Sequence, residues 1–346
     1  MDDFVRDLPK AELHLHLEGT LEPELMFEMA GRNGMTVPFD SVDDVRAAYI
    51  FDDLQSFLDI YYAACAVLRT EDDFYDLTWA YAKRAADQGV RHAEVFFDPQ
   101  THTARDVAFE PMVRGIDRAL SDATRSLGLT SRLILCFLRH LSAEEAMATL
   151  EAARPHLDVI HGVGLDSSEV GNPPARFTEV FARAAELGLF AVAHAGEEGP
   201  AEYITEALDL LGARRIDHGV RCLEDPALVE RLARDQVPLT VCPLSNVRLG
   251  VFPSMANHTL AAMLAHGLCV TINSDDPAYF GGYVAENYQA VADHLSLGRD
   301  DLVRLARNSF EASVIDPATR QRYLEELDAF ALAQPSSSSV RRTAPR

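Results

Sequence analysis

Two histidines one residue apart, His14 and His16, lie in the apolar segment AELHLHLEGT near the start of the chain. Residues i and i+2 of a strand project from the same face, so both imidazoles can reach one point. Three further apolar segments end in ionisable side chains, namely His194 and Glu197 in FAVAHAGE, His218 in RIDHG, and Asp275 and Asp276 in NSDD. Each alone has an ordinary explanation, such as a bonded core histidine or a helix-capping aspartate. Together at strand ends they indicate a site.

Imidazole and carboxylate groups suit Zn²⁺, and a catalytic zinc keeps one coordination position open for water. We expect one zinc ion per chain, held by His14, His16, His194 and Asp275. A bound zinc lowers the pKa of water toward about 7. Glu197, His218 and Asp276 remain for proton transfer, a set that a structural zinc does not need. The pattern therefore predicts hydrolysis, and the other eight histidines, such as His258, are expected at the surface.

The elements that must position these groups are short apolar runs alternating with amphipathic segments. Eight runs are predicted as buried parallel strands, at 11–17, 90–97, 131–138, 159–165, 190–196, 215–220, 238–244 and 269–275. Eight strand-plus-helix units predict an α/β fold, a (β/α)₈ TIM barrel, with its active site at the C-terminal strand ends. A doubly wound open sheet is the alternative, but no GxGxxG follows any of the strands.

The interval 20–89 is too long for a simple helical connection and is predicted to contain extra helices, inserted after the first strand, that cover the barrel mouth as a lid. Residues 1–333 are expected to form one metal-dependent hydrolase domain. The Pro- and Ser-rich tail 334–346 is predicted to be disordered and without function.

The formal net charge of −23 argues against nucleic-acid polymers and anionic membrane surfaces as partners. No apolar run is long enough to span a membrane, and the acidic N-terminus is unlike a secretory signal, so a cytoplasmic location is expected. The five cysteines form no CxxC pair and are interpreted as reduced, mostly buried thiols. These features leave a small molecule as the expected partner, together with further copies of the chain in a homo-oligomer.

The segments HLHLEGT, HAGE, RIDHG, CPLSN and NSDDP resemble, in order and placement, the motifs of the adenosine/adenine deaminase family of the amidohydrolase superfamily. The resemblance runs from about Leu8 to Ala329 and is closer to the adenine deaminase subgroup. It implies that Glu197 protonates purine N1, that His218 takes the proton of the attacking water, and that Asp276 orients that water and then bonds the N7 edge. The implied reaction converts adenine to hypoxanthine and ammonia in purine salvage.

The resemblance also bears on the choice between free base and nucleoside. The nucleoside enzymes have a Gly in the loop after the fourth strand, where this chain is aligned with Glu169, and that carboxylate could accept the N9–H of a free base. A loop-capping Glu169 facing solvent is the alternative. Ser168 and Gly164 are assigned to the same substrate-binding set, with Asp276. Glu18 in HLEG replaces the Asp that the nucleoside enzymes direct toward ribose.

Other substrates and other functions are alternatives to the deamination of adenine. Adenosine, an N6-substituted adenine and aminodeoxyfutalosine are all 6-aminopurines that the same chemistry could accept. A barrel that has lost catalysis and serves as a binding protein would be expected to lack a ligand or the acid, and this chain keeps them all. An amide or phosphoester hydrolase of this fold often bridges two metals with a modified Lys, and the fourth-strand segment VGLDSS has none.

Overall fold

The computed structural model describes residues 1–334, so positions 335–346 of the predicted tail lie outside the described residues. The strands are β1 Lys10–His16, β2 Val90–Phe97, β3 Thr130–Leu138, β4 Ile160–Asp166, β5 Phe190–Ala191, β6 Ala193–Ala195, β7 Ile216–His218, β8 Pro238–Val241 and β9 Cys269–Ile272. The helices are α1 Asp3–Asp7, α2 Pro23–Arg32, α3 Val42–Ala48, α4 Leu54–Ala64, α5 Glu71–Asp87, α6 Pro99–Thr103, α7 Phe109–Leu127, α8 Ala143–Ala153, α9 Thr178–Glu186, α10 Ala201–Leu210, α11 Pro226–Asp235, α12 Pro243–Arg248, α13 Leu260–Ala265, α14 Pro277–Phe280, α15 Val284–His294, α16 Arg299–Ala312 and α17 Pro317–Ala333.

Local sequence signals account for where the helices begin. Helix α5 starts after Thr70, whose side chain accepts the backbone N–H of Asp73 while Asp73 bonds back to Thr70 in a capping box. Helix α8 starts after Ser142 in the same way, with Glu145 as the partner. The chain leaves α5 through Gly89 at φ +79°, a conformation that favours glycine. These signals fix the boundaries of the segments that connect consecutive strands.

All strand pairs are parallel, in two sheets of order β1-β2-β3-β4-β5 and β6-β7-β8-β9. The predicted fifth strand is interrupted at Val192, whose N–H donates to the Val163 carbonyl and so joins the two sheets. At the other end the N–H of Asp275 donates to the carbonyl of His14, and the N–H of His16 donates to the carbonyl of Asp275. The strand order confirms the (β/α)₈ barrel.

Apolar side chains fill the barrel interior and the layer under the helices. Phe96, Ile134, Cys136 and Val192 form a buried cluster inside the barrel. A larger connected core runs from Phe4 to Leu327 beneath the helices. The assignment of 1–333 to one domain stays a prediction, and this connected core supports it. The five cysteines are unpaired and buried.

The segment between β1 and β2 contains the extra helices that the sequence predicts, α2, α3 and α4, followed by α5. Helix α4 lies over the C-terminal ends of the strands, because its side chains Leu54, Phe57, Leu58 and Tyr61 line the cavity there. Within the described residues, no helix combines the length and the apolar character needed to cross a lipid bilayer.

Candidate active site

Four buried side chains converge at the C-terminal end of the barrel. Ligand atoms of His14, His194, His218 and Asp275 all lie within 4.8 Å of one another. His16 joins them, because its Nε2 lies 3.1 Å from Nε2 of His194 and 3.5 Å from Oδ1 of Asp275. The structure therefore brings together every residue that the sequence predicts as a metal ligand, with His218 beside them.

Surrounding polar groups face the outer ring nitrogens of these histidines. Nδ1 of His14 lies 3.1 Å from the Thr240 hydroxyl, and Nδ1 of His16 lies 3.6 Å from Oδ2 of Asp166. Oδ2 of Asp217 lies 3.7 Å from Nδ1 of His194. Protons on these outer nitrogens leave the Nε2 lone pairs directed inward, the arrangement typical of metal-binding histidines.

The donor set fits a divalent cation. Burial lowers the pKa of His194 well below its ordinary value, which keeps this imidazole in the neutral form that binds metals. The facing Nε2 atoms of His16 and His194 are then two lone pairs at 3.1 Å, which a cation between them would stabilise. Asp275 supplies a carboxylate whose Oδ2 accepts the Ser245 hydroxyl at 2.6 Å. Nitrogen and oxygen donors of this kind suit Zn²⁺.

Two site residues have backbone conformations that non-glycine residues rarely adopt. His218 has φ +63° and Asp275 has φ +64°. Such left-handed conformations at non-glycine residues cost free energy and are concentrated at functional sites. The backbone of Asp275 is hydrogen-bonded to His14 and His16 of β1. These hydrogen bonds join the first and last strands and also position the Asp275 carboxylate.

Glu197 is placed to act as an acid. Burial, followed by the nearby charges of Asp275 and Glu169, raises the pKa of Glu197 well above its ordinary value. Its Oε2 lies 3.5 Å from Nε2 of His218, and its Oε1 has no hydrogen-bond partner. The carboxyl group therefore carries a proton near neutral pH and has a free oxygen at the cavity.

Burial keeps His218 neutral, and neighbouring polar residues orient its ring. Burial lowers the pKa of His218 to about 3. Its Nδ1 lies 3.3 Å from Nδ2 of Asn246, and Oδ1 of Asn246 lies 3.2 Å from Nε2 of His258. The prediction that His258 is a surface residue is wrong, since its side chain is buried and holds the residue that orients His218. His92 and His102 are buried as well.

Asp276 lies at the cavity wall against the loop that follows β1. Burial and then the charge of Asp275 raise the pKa of Asp276 well above its ordinary value, and its Oδ1 has no partner. A Cβ on Gly19 would overlap Oδ1 of Asp276 and would lie 2.7 Å from its Cα. The glycine of the LEGT segment thus makes room for the Asp276 carboxyl.

The structure gives Glu169 a position different from the predicted one. Its Oε1 accepts the N–H of Gly196 at 2.6 Å, and its Oε2 accepts the N–H groups of Glu197, Glu198 and Gly199 at 3.0, 2.9 and 2.8 Å. Both oxygens are therefore directed into a ring of backbone donors. This geometry does not support a contact between Glu169 and a purine N9–H. The side chain is only 1% exposed, so it does not face solvent either.

The other two residues predicted to bind substrate also lie away from the cavity. Gly164 is inside the barrel, where a Cβ would lie 2.5 Å from Sγ of Cys136. The hydroxyl of Ser168 donates to Oε1 of Gln55 at 3.1 Å, in a partly exposed loop. Of the predicted substrate-binding set, Asp276 is the member that lines the cavity.

A cavity lies between the strand ends and the lid. Leu54, Phe57, Leu58, Leu249 and Phe280 supply apolar walls suited to a flat aromatic ring. At its polar end are His16, His194, His218, Glu197 and the two aspartates of NSDD. Apolar walls with a polar end suit a small molecule that has both an aromatic face and polar edges.

Asp98 and Asp166 also line this cavity, although the residue-by-residue prediction did not select them. Asp98 follows β2 directly and Asp166 ends β4, so the strand-end rule that selected His194 and Asp275 applies to both. Glu18, in contrast, is turned away from the cavity lining. Its Oε1 bonds to Nε2 of His102 at 2.8 Å and to the N–H of Asp98 at 3.1 Å.

Comparisons with known proteins agree with this geometry. The family model described as adenosine deaminase matches residues 9–330. An adenine deaminase of Sphingopyxis alaskensis is 64% identical over 328 residues, which are 95% of this chain and 96% of that protein. The crystal structure of an adenine deaminase from Arthrobacter aurescens is 52% identical with a TM-score of 0.92, over 93% of this chain and 98% of that chain. An amidohydrolase from Burkholderia ambifaria with bound zinc has 27% identity and a TM-score of 0.86, over 95% and 93%.

Proposed function

This chain belongs to the adenosine deaminase family, and from that premise we propose that its reaction is the hydrolytic deamination of adenine. The enzyme is a hydrolase that acts on the C–N bond of a cyclic amidine in a small purine substrate. Water replaces the 6-amino group, so adenine and water give hypoxanthine and ammonia. The observation that carries the proposal is the convergence of His16, His194 and Asp275 with an acid, Glu197, at one end of the cavity.

One zinc ion per chain is proposed, held by His14, His16, His194 and Asp275. The inward-facing Nε2 atoms and the neutral state of His194 support this set. When bound, zinc supplies Lewis-acid activation of a water molecule at neutral pH. His218 is not assigned as a zinc ligand. Its Nε2 lies 3.5 Å from Oε2 of Glu197 and 3.8 Å from Oδ2 of Asp275. This position between an acid and a carboxylate suits proton transfer.

Each remaining polar group has a defined task. Glu197, protonated because of its raised pKa, donates its proton to purine N1 and so makes C6 electrophilic. His218, neutral because of its lowered pKa, accepts the proton of the attacking water. Asp276 orients that water and then bonds the N7 edge. The raised pKa of Asp276 gives it the proton that a hydrogen bond to N7 requires.

The lid and the apolar walls exclude bulk water from the reacting atoms. Phe57, Leu58 and Phe280 contact the space above the polar groups. Exclusion of water strengthens each hydrogen bond to the ring nitrogens, because the local dielectric constant is low. A role in purine salvage, a cytoplasmic location, a homo-oligomeric state and the expected lack of nucleic-acid or membrane partners remain predictions from the sequence.

The proposal is tested by measuring zinc content and then ammonia release from adenine and adenosine under the same conditions. We expect about one zinc per chain, and adenine as the better substrate by a large factor, because binding sites for a ring N–H discriminate strongly against analogues that lack it. Less than about half a zinc per chain together with no ammonia from either compound would reject the metal-dependent assignment. If adenosine, an N6-substituted adenine or aminodeoxyfutalosine is turned over faster than adenine, that compound would be assigned as the substrate instead.

A further inference from the structure

Four buried carboxyl oxygens in the cavity-lining residues have no hydrogen-bond partner. They are Oε1 of Glu197, Oδ1 of Asp276, Oδ1 of Asp98 and Oδ1 of Asp166. Burying such an oxygen without a partner is costly, and buried polar groups in folded proteins are nearly always bonded. The unpartnered oxygens therefore indicate the polar positions of a ligand.

The proposed reaction uses two of these four oxygens. Glu197 takes purine N1 and Asp276 takes the N7 edge, the two ring nitrogens that flank the reacting C6. The edge of adenine that faces away from C6 contains N3, an acceptor, and N9–H, which is the ring N–H donor of a free base. Asp98 and Asp166 are therefore the candidates to bind the N3 and N9 edge. A carboxylate oxygen accepts hydrogen bonds, so it can bind the N9–H.

The second oxygen of each carboxyl group distinguishes the two aspartates. Oδ2 of Asp166 lies 3.6 Å from Nδ1 of His16, so Asp166 supports a proposed metal ligand. Oδ2 of Asp98 instead accepts the hydroxyl of Tyr61 at 3.2 Å. Tyr61 belongs to lid helix α4 and lines the cavity, so Asp98 is linked to the lid. Its carboxyl group also lies within 4.8 Å of ligand atoms of Asp166 and His16.

The backbone of Asp98 is fixed as well. Its N–H donates to Oε1 of Glu18 at 3.1 Å, and the same oxygen is bonded to Nε2 of His102 at 2.8 Å. Asp98 is 2% exposed. With its backbone held from one side and Oδ2 held by Tyr61 from the other, Asp98 has one oxygen left, and that oxygen belongs to a residue of the cavity wall.

We propose that Asp98 accepts the N9–H of adenine and thereby determines specificity for the free base. This inference rests on the proposed function, because it takes the orientation of the purine from Glu197 and Asp276. A nucleoside has a carbon substituent in place of the N9 hydrogen, so it would leave the buried carboxylate unpaired and would crowd it. Tyr61 acts as a positioning residue, which ties the placement of Asp98 to lid helix α4.

The test compares adenine with 9-methyladenine, which differs at N9 alone. In Asp98→Asn, an isosteric change that removes the charged acceptor, we expect kcat/KM for adenine to fall about 10- to 100-fold, mainly through KM. The value for 9-methyladenine should stay within about twofold, since that base makes no bond to Asp98. Inhibition constants of hypoxanthine and 9-methylhypoxanthine give the same comparison when turnover of the methylated base is too slow to measure.

Tyr61→Phe should change the ratio of kcat/KM for adenine to kcat/KM for 9-methyladenine in the same direction as Asp98→Asn. The change should be smaller, because the substitution removes only a group that orients Asp98. Tyr75→Phe is the matched control, since the Tyr75 hydroxyl donates to Oδ2 of Asp122 at 2.9 Å on the outer helices. That variant should leave the ratio of the two bases unchanged. Zinc content measured in each variant separates an effect on the metal from one on the purine.

Equal losses for both bases in Asp98→Asn would mean that Asp98 has a structural role and would overturn the inference. An unchanged ratio in both Asp98→Asn and Tyr61→Phe would overturn it too. An unmodified enzyme that contains zinc and does not turn over adenine would instead refute the proposed function. The two failures are therefore distinguishable.

Discussion

The backbone N–H of Glu197 donates to Oε2 of Glu169 at 3.0 Å. Glu169 thus supports the loop that carries the proposed acid, from a position 28 residues earlier in the chain. Gly199 completes this arrangement, because a Cβ there would lie 2.6 Å from Cδ of Glu169. We therefore expect Glu169, which the sequence assigned to substrate contact, to act as a positioning residue for the proposed acid.

Substitution of Glu169 should therefore impair catalysis without widening specificity. In Glu169→Gln the amide N–H₂ would face backbone N–H donors, so the loop must shift, and small displacements of an acid cost up to about 10²-fold in rate. We expect kcat for adenine to fall by about that factor while zinc content is retained. Glu169→Gly should not improve turnover of adenosine. Glu202→Gln, on exposed helix α10, is the control, and improved adenosine turnover in Glu169→Gly would restore the original assignment.

Glu197→Gln should retain zinc and lose most deamination. The amide preserves the shape of the side chain but has no acidic proton to transfer to N1, and loss of a general acid costs about 10²–10⁴-fold. Ammonia release and metal content measured on the same preparation check this. A fully active Glu197→Gln enzyme would show that another group protonates the purine.

Gly19→Ala should disturb Asp276 from the loop behind it. The new methyl group overlaps Oδ1 of Asp276, and the backbone of Asp276 leaves no room for it to turn away. We expect kcat/KM for adenine to fall about 10²-fold, because the oriented carboxyl is displaced. Gly31→Ala is the matched control, since nothing lies within 4 Å of a Cβ there. That helical change should leave kcat unchanged and raise stability by up to about 1 kcal/mol.

The buried network of Glu94, Arg215 and Asp217 should make the free energy of unfolding depend on pH in the acid range. Arg215 donates to Glu94 at 2.6 Å and to Asp217 at 3.2 Å. Burial alone would raise the pKa of Glu94, but the charge of Arg215, together with His92 and the N–H of Val314, outweighs burial and lowers it from 4.5 to about 2. Because the folded-state pKa is the lower one, this carboxylate contributes stability above pH 4.5, and the contribution is lost as pH falls toward 2.

Denaturant unfolding of chelator-treated protein at pH 7, 4.5 and 3 measures this effect without a contribution from metal release. Glu94→Gln should be less stable at pH 7 by about 3–5 kcal/mol, because it leaves Arg215 partly unpaired. Its stability should also fall less between pH 4.5 and 3 than that of the unmodified chain. The same acid slope in both proteins would show that Glu94 is not the titrating group.

The convergence of the proposed metal ligands could be predicted from the sequence because parallel strands in a barrel all end at one edge. Once the apolar runs are assigned to strands, His14, His194 and Asp275 must meet at that edge, whatever the loops do. The same-face spacing of His14 and His16 follows from the two-residue period of a strand. The lid was predictable too, since the long interval before β2 has helical periodicity and has to pack somewhere near the barrel mouth.

Tertiary structure decided what the side chains beyond the strand ends contact. Glu169 lies three residues past β4, after Ser167 at φ +72°, and the direction of a side chain beyond such a reversal is not encoded in local periodicity. Its partners are backbone N–H groups of a distant loop, which have no sequence signature. Burial of His258 and the free oxygen of Asp98 likewise depend on packing against elements far away in the chain. Strand order determines where in the barrel the proposed active site lies. Long-range hydrogen bonds determine which polar groups stay unpaired and can therefore bind the substrate.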